Sequence, residues 1–470
     1  MAYFNLITPA VQPYGIRILN CRSNNSEGGE KPDMQNRSAV ERDIYIELIV
    51  VLCILVSLGF PGQFTKIYGE RFGKLCEYGA FLAEVFLILT SNAKQLGDIE
   101  LLNLKRKYAV LYLYVAAVTA VSMLVAADRS EEMITCLRWI VTLLFAIWLQ
   151  EFYSTENLLR LIAIAQGAFV ALTLFFMLRY SYLSYDPEVP GAICGLVGTK
   201  NGCATELAFG ILVTILVIRN EHHRRRPLMR WVTLVMIQFV LLMMADATGA
   251  LFTLVIALVP ALLHRSFRLP LGLMYITVNV VFLFAMLTLM PLFEGLFEAI
   301  GKDATLTGRI PLWRQIIDVM STHNTMTGYG YGMFWRDPIA VEMIHTGFNR
   351  RHNGFMASIT SGAHNVLLEM WLNIGLLGIA EYFFALLGSF RRVEEMENSP
   401  YLFCCVMMVF LMINGLTERC LASNYDYKTL LLFLVMAMGC NKRAASVYAL
   451  RGSGSAVIHE ASDGSLSDAG

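Results

Sequence analysis

The sequence predicts an all-α protein that is embedded in a membrane and crosses it about twelve times. Of its 470 residues, 56% are hydrophobic and only 16% are charged, whereas about a quarter of the residues in a soluble domain are charged. Apolar runs long enough to cross ~30 Å of hydrocarbon as a helix recur along the whole chain. They lie near residues 44–61, 76–92, 108–127, 134–150, 158–179, 203–218, 227–245, 247–264, 270–291, 364–390, 400–416 and 424–440.

The two ends of the chain and its cysteines give further information on what kind of membrane protein this is. Residues 1–43 contain no apolar core of the kind that marks a cleavable signal peptide. We expect them, and residues 441–470, to form cytoplasmic tails. The ten cysteines lie mostly inside apolar runs, and their spacing gives neither a metal-binding signature nor a disulfide framework. Because the formal net charge is zero, no nucleic-acid partner is expected.

The distribution of basic residues predicts how the spans are oriented. Lys and Arg are frequent in loops that follow even-numbered spans, as at 105–107 and 224–226. Short cytoplasmic loops carry such an excess, so both termini are expected on the cytoplasmic side. The same order gives nine spans over 44–291, one large extracytoplasmic loop over 292–363 between spans nine and ten, and three spans over 364–440.

The large loop carries five arginines, which is unusual on the outer side of a membrane. Arginine suits phosphate recognition, so an outward-facing anion site is favoured over an ordinary solvated loop. Apolar residues over 310–320, Trp313 among them, recur at helical spacing. They predict an amphipathic helix with Thr307 as its N-cap. An anion beside Arg309 would also meet free N–H groups at the helix start, although a solvated or structural arginine is an equal alternative.

Polar residues beside other spans point to the same outer side. His364 and Asn365 stand at the very start of the tenth apolar run, and a histidine at such a position can act as a general base. Lys200 and Asn201 stand just before the sixth run. For each residue alone, a structural histidine or an ordinary turn is the alternative, but the shared face favours a site. The Gly-Tyr-Gly-Tyr-Gly sequence at 328–332 lacks the ending of a nucleotide-binding loop and is interpreted as a plain turn.

The order of these motifs resembles that of the bacterial O-antigen ligase and polymerase family. A Gly-Thr-Lys-Asn element at 198–201 precedes one span, and an Ala-Thr-Gly element opens another. The long loop carries Thr-Gly-Arg-x-x-x-Trp at 307–313 and ends in Ala-His-Asn-x-x-Leu-Glu at 363–369, which Gly-Leu-Leu-Gly follows at 375–378. Each motif is short, but their order over residues 190–385 is specific.

The resemblance implies a metal-independent glycosyltransferase of the bacterial cytoplasmic membrane that needs no cofactor. Its donor would be a glycan on undecaprenyl pyrophosphate, and its acceptor a sugar hydroxyl on lipid A core or on another lipid-linked glycan. Membrane lipids, a flippase and a chain-length regulator would be its partners. Carried over to this sequence, Arg309 would hold the pyrophosphate, and His364 would be the base or would position the acceptor hydroxyl. The residues that would bind substrate or shape the site are Lys200, Asn201, Trp313, Arg314 and Asn365.

Three functions stay open from the sequence. Polymerisation of lipid-linked repeat units is preferred over ligation, because the Lys-Asn element is similar to that of exopolysaccharide polymerases and no residue indicates a lipid A core acceptor. A transporter that flips the lipid-linked unit would suit twelve spans, but the sequence shows no duplicated halves. A structural subunit would not need the pairing of Arg309 with His364.

Overall fold

The computed structural model describes residues 34–95, 106–187, 189–221, 225–262, 269–289, 309–352, 362–391, 395–418 and 426–441. These residues form helices joined by turns, which confirms the all-α class. The α-helices are α1 (Met34–Ser57), α2 (Gly62–Tyr68), α3 (Glu70–Gln95), α4 (Ala109–Val125), α5 (Arg129–Phe152), α6 (Thr155–Arg179), α7 (Ser181–Ser184), α8 (Lys200–Glu221), α9 (Arg225–Met244), α10 (Thr248–Leu262), α11 (Leu271–Thr288), α12 (Arg309–Thr322), α13 (Pro338–His352), α14 (Val366–Ser389), α15 (Asn398–Thr417) and α16 (Tyr427–Cys440). Short 3-10 helices lie at Arg106–Tyr108 and Phe334–Arg336.

Seven of the described helices are long and apolar enough to cross a bilayer. They are α4 with the 3-10 turn before it, α5, α6, α8, α11, α14 and α15. The number becomes eight if α1 and α2, which meet at a bend of 82°, form one broken span. Helix α8 lies at the centre of the bundle, since 78% of its apolar stretch is buried, whereas only 22% of that of α11 is buried. The chain is therefore built as a multi-pass membrane protein.

The other four predicted runs also lie on helices. Three of them lie on α9, α10 and α16, which are apolar but shorter. The run 76–92 lies within α3, which also carries Glu77 and Glu84. A helix of 15 residues such as α10 is about 22 Å long, which is less than the ~30 Å of a hydrocarbon core. Twelve crossings thus stay a prediction, while the described part of each of the twelve runs is mainly helical.

Contacts between helix ends agree with the predicted alternation of the spans. On the predicted cytoplasmic side, the Lys107 ammonium lies 2.5 Å from the Glu151 carboxylate and 3.0 Å from the side-chain oxygen of Asn441. On the opposite side, Arg336 of the large loop forms an ion pair with Glu131 near the start of α5. Each of these contacts joins ends that the order of spans assigns to the same face.

The described part of the large loop folds into a small helical cluster. Helix α12 begins at Arg309 and buries its apolar face against α11, α13 and α14. Trp313, Ile316 and Phe334 are completely buried in this cluster. The predicted amphipathic helix therefore exists and caps the bundle, whereas its predicted N-cap Thr307 lies outside the described residues.

Helix α14 is interrupted at Gly375, whose backbone is not helical (φ 67°, ψ −175°). The segment 325–330 of the large loop fills the break. Four hydrogen bonds of 2.9–3.1 Å join this segment to residues 372–377, two donated in each direction. Gly328 (φ 67°) is required there, because a Cβ atom would lie 2.6 Å from the backbone of Asn373. The glycine-rich sequence at 328–332 thus lies in a turn, and part of that turn belongs to segment 325–330, the plug that fills the break in α14.

The chain divides into two compact units, residues 1–45 and 46–470. In the first unit α1 begins at Met34, so the last part of the predicted tail 1–43 is helical. The described elements from α2 onward belong to the second unit. The predicted tails over 1–33 and 442–470, and the loop segments 292–308 and 353–361, lie outside the described residues.

Candidate active site

Arg309 and His364, the two predicted catalytic residues, converge on the carboxylate of Glu418. Arg309 Nη2 donates a hydrogen bond of 2.9 Å to Glu418 Oε1, across 109 positions of sequence. His364 Nδ1 lies 3.6 Å from the other oxygen, Oε2. Arg309 opens α12, His364 stands just before α14, and Glu418 follows α15 directly. Three separate elements therefore bring these side chains together on the predicted outer face.

The cluster is partly shielded from solvent, with 20–29% of each of the three side chains exposed. Charges in such positions interact more strongly than they do in water. Burial alone would raise the pKa of the Glu418 carboxyl, but its interactions with His364 and with the charge of Arg309 hold that pKa below its ordinary value of 4.5. Lys428, in the first turn of α16, adds a further positive charge beside the same carboxylate. Glu418 is therefore ionised at neutral pH.

The backbone of His364 is held in a strained conformation. Its φ of 51° lies in the left-handed region, which costs a non-glycine residue about 1–3 kcal/mol. The Ala363 N–H donates a hydrogen bond of 2.6 Å to Glu369 Oε2. On the other side, the Asn365 side chain accepts from two N–H groups in the first turn of α14 and so forms its N-cap. These contacts on both sides fix the position of the imidazole.

Trp313 and Asn365, both predicted site residues, are completely buried. Both donate hydrogen bonds to backbone carbonyls next to the site. The Trp313 Nε1–H donates a hydrogen bond of 2.8 Å to the carbonyl of Ala363. Asn365 Nδ2 donates one of 3.1 Å to the carbonyl of Leu416, two residues before Glu418. The second bond ties the start of α14 to the end of α15. It therefore fixes the separation between His364 and its acidic neighbour.

Lys200 lies in a second cationic region with Lys66. The backbone N–H of Gln63 in α2 donates a hydrogen bond of 3.0 Å to the carbonyl of residue 196, close before α8. Burial, followed by a neighbouring carboxylate, raises the pKa of the Cys194 thiol to about 11, and both lysine charges oppose this shift. The two ammonium groups therefore lie near the same thiol.

Asn201 and Arg314 are exposed. The backbone carbonyl of Asn201 accepts a hydrogen bond of 2.7 Å within α8. Among the described residues, no hydrogen bond or ion pair joins Lys200, Asn201 or Arg314 to Arg309 or His364. The structure thus gathers two of the predicted polar groups around Glu418, and the described residues give no such contact for the other three.

The cluster also contains Glu418 and Lys428, and the sequence motifs assign no role to either residue. Both lie outside the segment 190–385 that carries the family motifs. Glu418 follows an apolar run as a single acidic residue, and a lysine at the start of a span usually anchors it at the membrane surface. The signal for Glu418 was its position: a carboxylate at the end of a span, on the same face as Arg309 and His364.

The chemistry of the cluster is that of an anion site with a proton acceptor. Arg309 and Lys428 supply positive charge, and His364 supplies an imidazole whose ring nitrogen can accept a proton. Within the described ranges, no group of three or more His, Cys, Asp or Glu side chains is arranged to hold a metal ion. The arrangement therefore suits the binding of a phosphate group and the deprotonation of a neighbouring hydroxyl.

Comparison with known protein families gives a match to part of the chain. Residues 231–383 match the model of the family described as O-antigen ligase. No curated protein shows significant similarity to the chain. The matched segment contains Arg309, Trp313, Arg314, His364 and Asn365. It begins later than the predicted core of 190–385 and so leaves out Lys200, and it ends before Glu418. Residues 231–383 are thus similar to the O-antigen ligase family, which confirms the resemblance drawn from the motifs.

Proposed function

We propose that the chain is a membrane glycosyltransferase that acts on undecaprenyl-pyrophosphate-linked glycans at the outer face of the bacterial cytoplasmic membrane. In this proposal it polymerises repeat units of a surface polysaccharide, with twelve spans and both termini in the cytoplasm. A flippase would supply its substrate, and a chain-length regulator would act beside it. The observation that carries the proposal is the convergence of Arg309 and His364 on Glu418, within and beside a segment that matches the family.

Arg309 would bind the pyrophosphate of the donor. A guanidinium has five N–H donors, so the bond from Nη2 to Glu418 leaves donors for phosphate oxygens. The start of α12 adds backbone N–H groups and the positive end of the helix dipole. Charge that develops on the leaving pyrophosphate would be stabilised by groups already in place. Lys200 and Lys66 would draw the same anionic substrate to the outer face.

His364 would take the proton from the acceptor hydroxyl. The hydroxyl oxygen forms a bond to the anomeric carbon of the donor while the bond from that carbon to the pyrophosphate oxygen breaks. The electron pair leaves with the pyrophosphate, and the proton moves to the imidazole. A positioned base typically contributes about 10²–10⁴-fold to the rate of such a step. Asn201 and Arg314, which are exposed, would contact the sugars of the donor or acceptor.

The second candidate is a ligase that transfers the finished glycan to lipid A core. The description of the matched family favours it. Lipid-linked glycans from a deletion strain separate the two functions. Single repeat units accumulate on the carrier lipid if the chain is a polymerase, and full-length chains stay on the carrier if it is a ligase. An unchanged glycan profile in the deletion strain would contradict both functions.

The Arg309→Ala variant tests the site in the same strain. We expect it to abolish glycan extension while the protein still accumulates in the membrane. The matched control is Arg336→Ala, because Arg336 is an arginine of the same loop whose ion pair with Glu131 is about half exposed and of little energetic value. Full activity of Arg309→Ala would overturn the site.

Transfer by purified wild-type protein should survive EDTA. Loss of transfer that a divalent metal restores would overturn the metal-free mechanism.

A further inference from the structure

We propose that Glu418 is a positioning residue that holds the His364 imidazole and the Arg309 guanidinium in their reactive orientation. This inference rests on the proposed function and adds a residue from outside the family-matched segment, which ends at residue 383. It starts from the use of both carboxylate oxygens. Oε1 accepts from Arg309 at 2.9 Å, and Oε2 faces His364 Nδ1 at 3.6 Å.

The position of Nδ1 decides which ring nitrogen can react. Nδ1 is shielded from solvent, whereas the His364 side chain as a whole is 29% exposed. The exposed part of the side chain therefore lies away from Nδ1, and Nε2 is the ring nitrogen left to face a substrate. The hydrogen-bonding partner of one ring nitrogen determines which of the two nitrogens carries the proton in the neutral imidazole. A carboxylate beside Nδ1 favours a proton there, which leaves the lone pair of Nε2 available for the proton of the acceptor hydroxyl.

Glu418 does not take up a proton in this scheme. When Nε2 receives the hydroxyl proton, the ring becomes an imidazolium, and the carboxylate 3.6 Å away stabilises its charge. That distance is slightly longer than a hydrogen bond, and such contacts often tighten once substrate is bound. The charged groups that face Glu418 are Arg309, His364 and Lys428. They keep the carboxylate ionised in the range in which a histidine titrates.

The shared carboxylate also links binding of the donor to positioning of the base. Glu418 offers its negative charge to Arg309, and an incoming pyrophosphate competes for the same guanidinium. Replacing Glu418 with a neutral group removes this competition but leaves the imidazole without its partner. Binding of the donor and the chemical step should therefore change in opposite directions, which mere loss of packing would not produce.

The test is Glu418→Gln, which keeps the shape of the side chain and removes its charge. In transfer assays with purified protein and lipid-linked donor, we expect kcat to fall at least tenfold, within the ~10²–10⁴-fold that a base contributes. The KM for the donor should fall, because the donor no longer competes with the carboxylate for Arg309.

Two further variants make the result decisive. Glu131→Gln also removes an ion-paired carboxylate on the predicted outer face, and its kcat and KM should equal those of the wild type. Glu418→Asp keeps the charge on a shorter arm, so it should show an intermediate kcat, and it replaces Glu418→Gln if that variant does not accumulate. A wild-type kcat in Glu418→Gln or in Glu418→Asp overturns the positioning role. Absence of transfer by the wild-type chain would instead overturn the proposed function.

Discussion

At the scale of single residues, the site depends on one histidine whose backbone conformation is unfavourable by itself. His364 has a φ of 51° and is held there by the hydrogen bonds of Ala363 and Asn365. Strain of this kind persists only where the surroundings determine it fully. The strain lies in the backbone of His364, whereas the proposed chemistry lies in its ring. Substitutions of His364 can therefore separate the effect on stability from the effect on activity.

We predict that His364→Asn folds and that His364→Val does not fold as well. Asparagine tolerates positive φ better than most residues, whereas a β-branched residue does not. The valine variant should lose about 1–3 kcal/mol of stability, and the asparagine variant much less. Both should fail to transfer glycan, because neither side chain can accept the proton. Thermal unfolding in detergent, measured beside the transfer assay, checks this, and an active His364→Asn would contradict the role of the ring.

The sequence predicted individual members of the site better than it predicted the grouping of those members. Arg309 and His364 stand inside recognisable motifs, and the structure brings them to one carboxylate. Lys200 was expected with them, and the described residues show only that its charge acts on the Cys194 thiol. Glu418 comes close only because Asn365 ties two helix ends together. Such a contact depends on how the helices pack, which the spacing of residues within one helix does not determine.

At the scale of elements, the decisive feature is the broken helix α14 and the segment 325–330 that fills it. The apolar run 364–390 reads as one continuous span, because the leucines and alanines on either side of Gly375 keep helical spacing. Nothing in that run reveals that a distant glycine-rich segment supplies its missing hydrogen bonds. The helical state of α14 was therefore predictable, and its interruption was not.

We predict that Gly328→Ala strongly destabilises the protein. A left-handed alanine costs about 1–2 kcal/mol, and its Cβ would lie 2.6 Å from the backbone of Asn373, which cannot move as a flexible side chain would. The control is Gly79→Ala in α3, where a Cβ atom meets nothing within 4 Å. That change should be neutral or should stabilise the helix by up to about 1 kcal/mol. Melting temperatures in detergent compare the two, and a Gly328→Ala protein as stable as Gly79→Ala would contradict the plug.

At the scale of the whole molecule, the apolar composition predicted a multi-pass membrane protein, and the charge of the loops predicted how its spans are oriented. Three of the predicted crossings lie on α9, α10 and α16, which are apolar but short. Contacts such as those of Lys107 with Glu151 and Asn441 join helix ends in agreement with alternating spans.

We predict that a membrane-impermeant thiol reagent labels Ile339→Cys from outside intact cells. Ile339 lies on α13 and is 73% exposed, whereas its neighbour Ala340 is completely buried and would label poorly in any topology. Glu156→Cys, at an exposed position on the opposite predicted face, should react only after the cells are broken. The unsubstituted chain gives the background from its native cysteines. The reverse pattern would invert the orientation and place the proposed site in the cytoplasm.

The plug in α14 has a consequence for how the protein is made. Backbone groups left unpaired in lipid cost several kcal/mol each, so α14 cannot settle in the bilayer with its break unfilled. The plugging segment 325–330 precedes α14 in the chain, and in the proposed topology it is exported before α14 leaves the ribosome. Its hydrogen-bonding partners are thus delivered ahead of the helix that needs them. We expect a chain split after α14, at residues 391–395, to insert correctly, whereas one split between residues 330 and 366 would have to recover this pairing after synthesis.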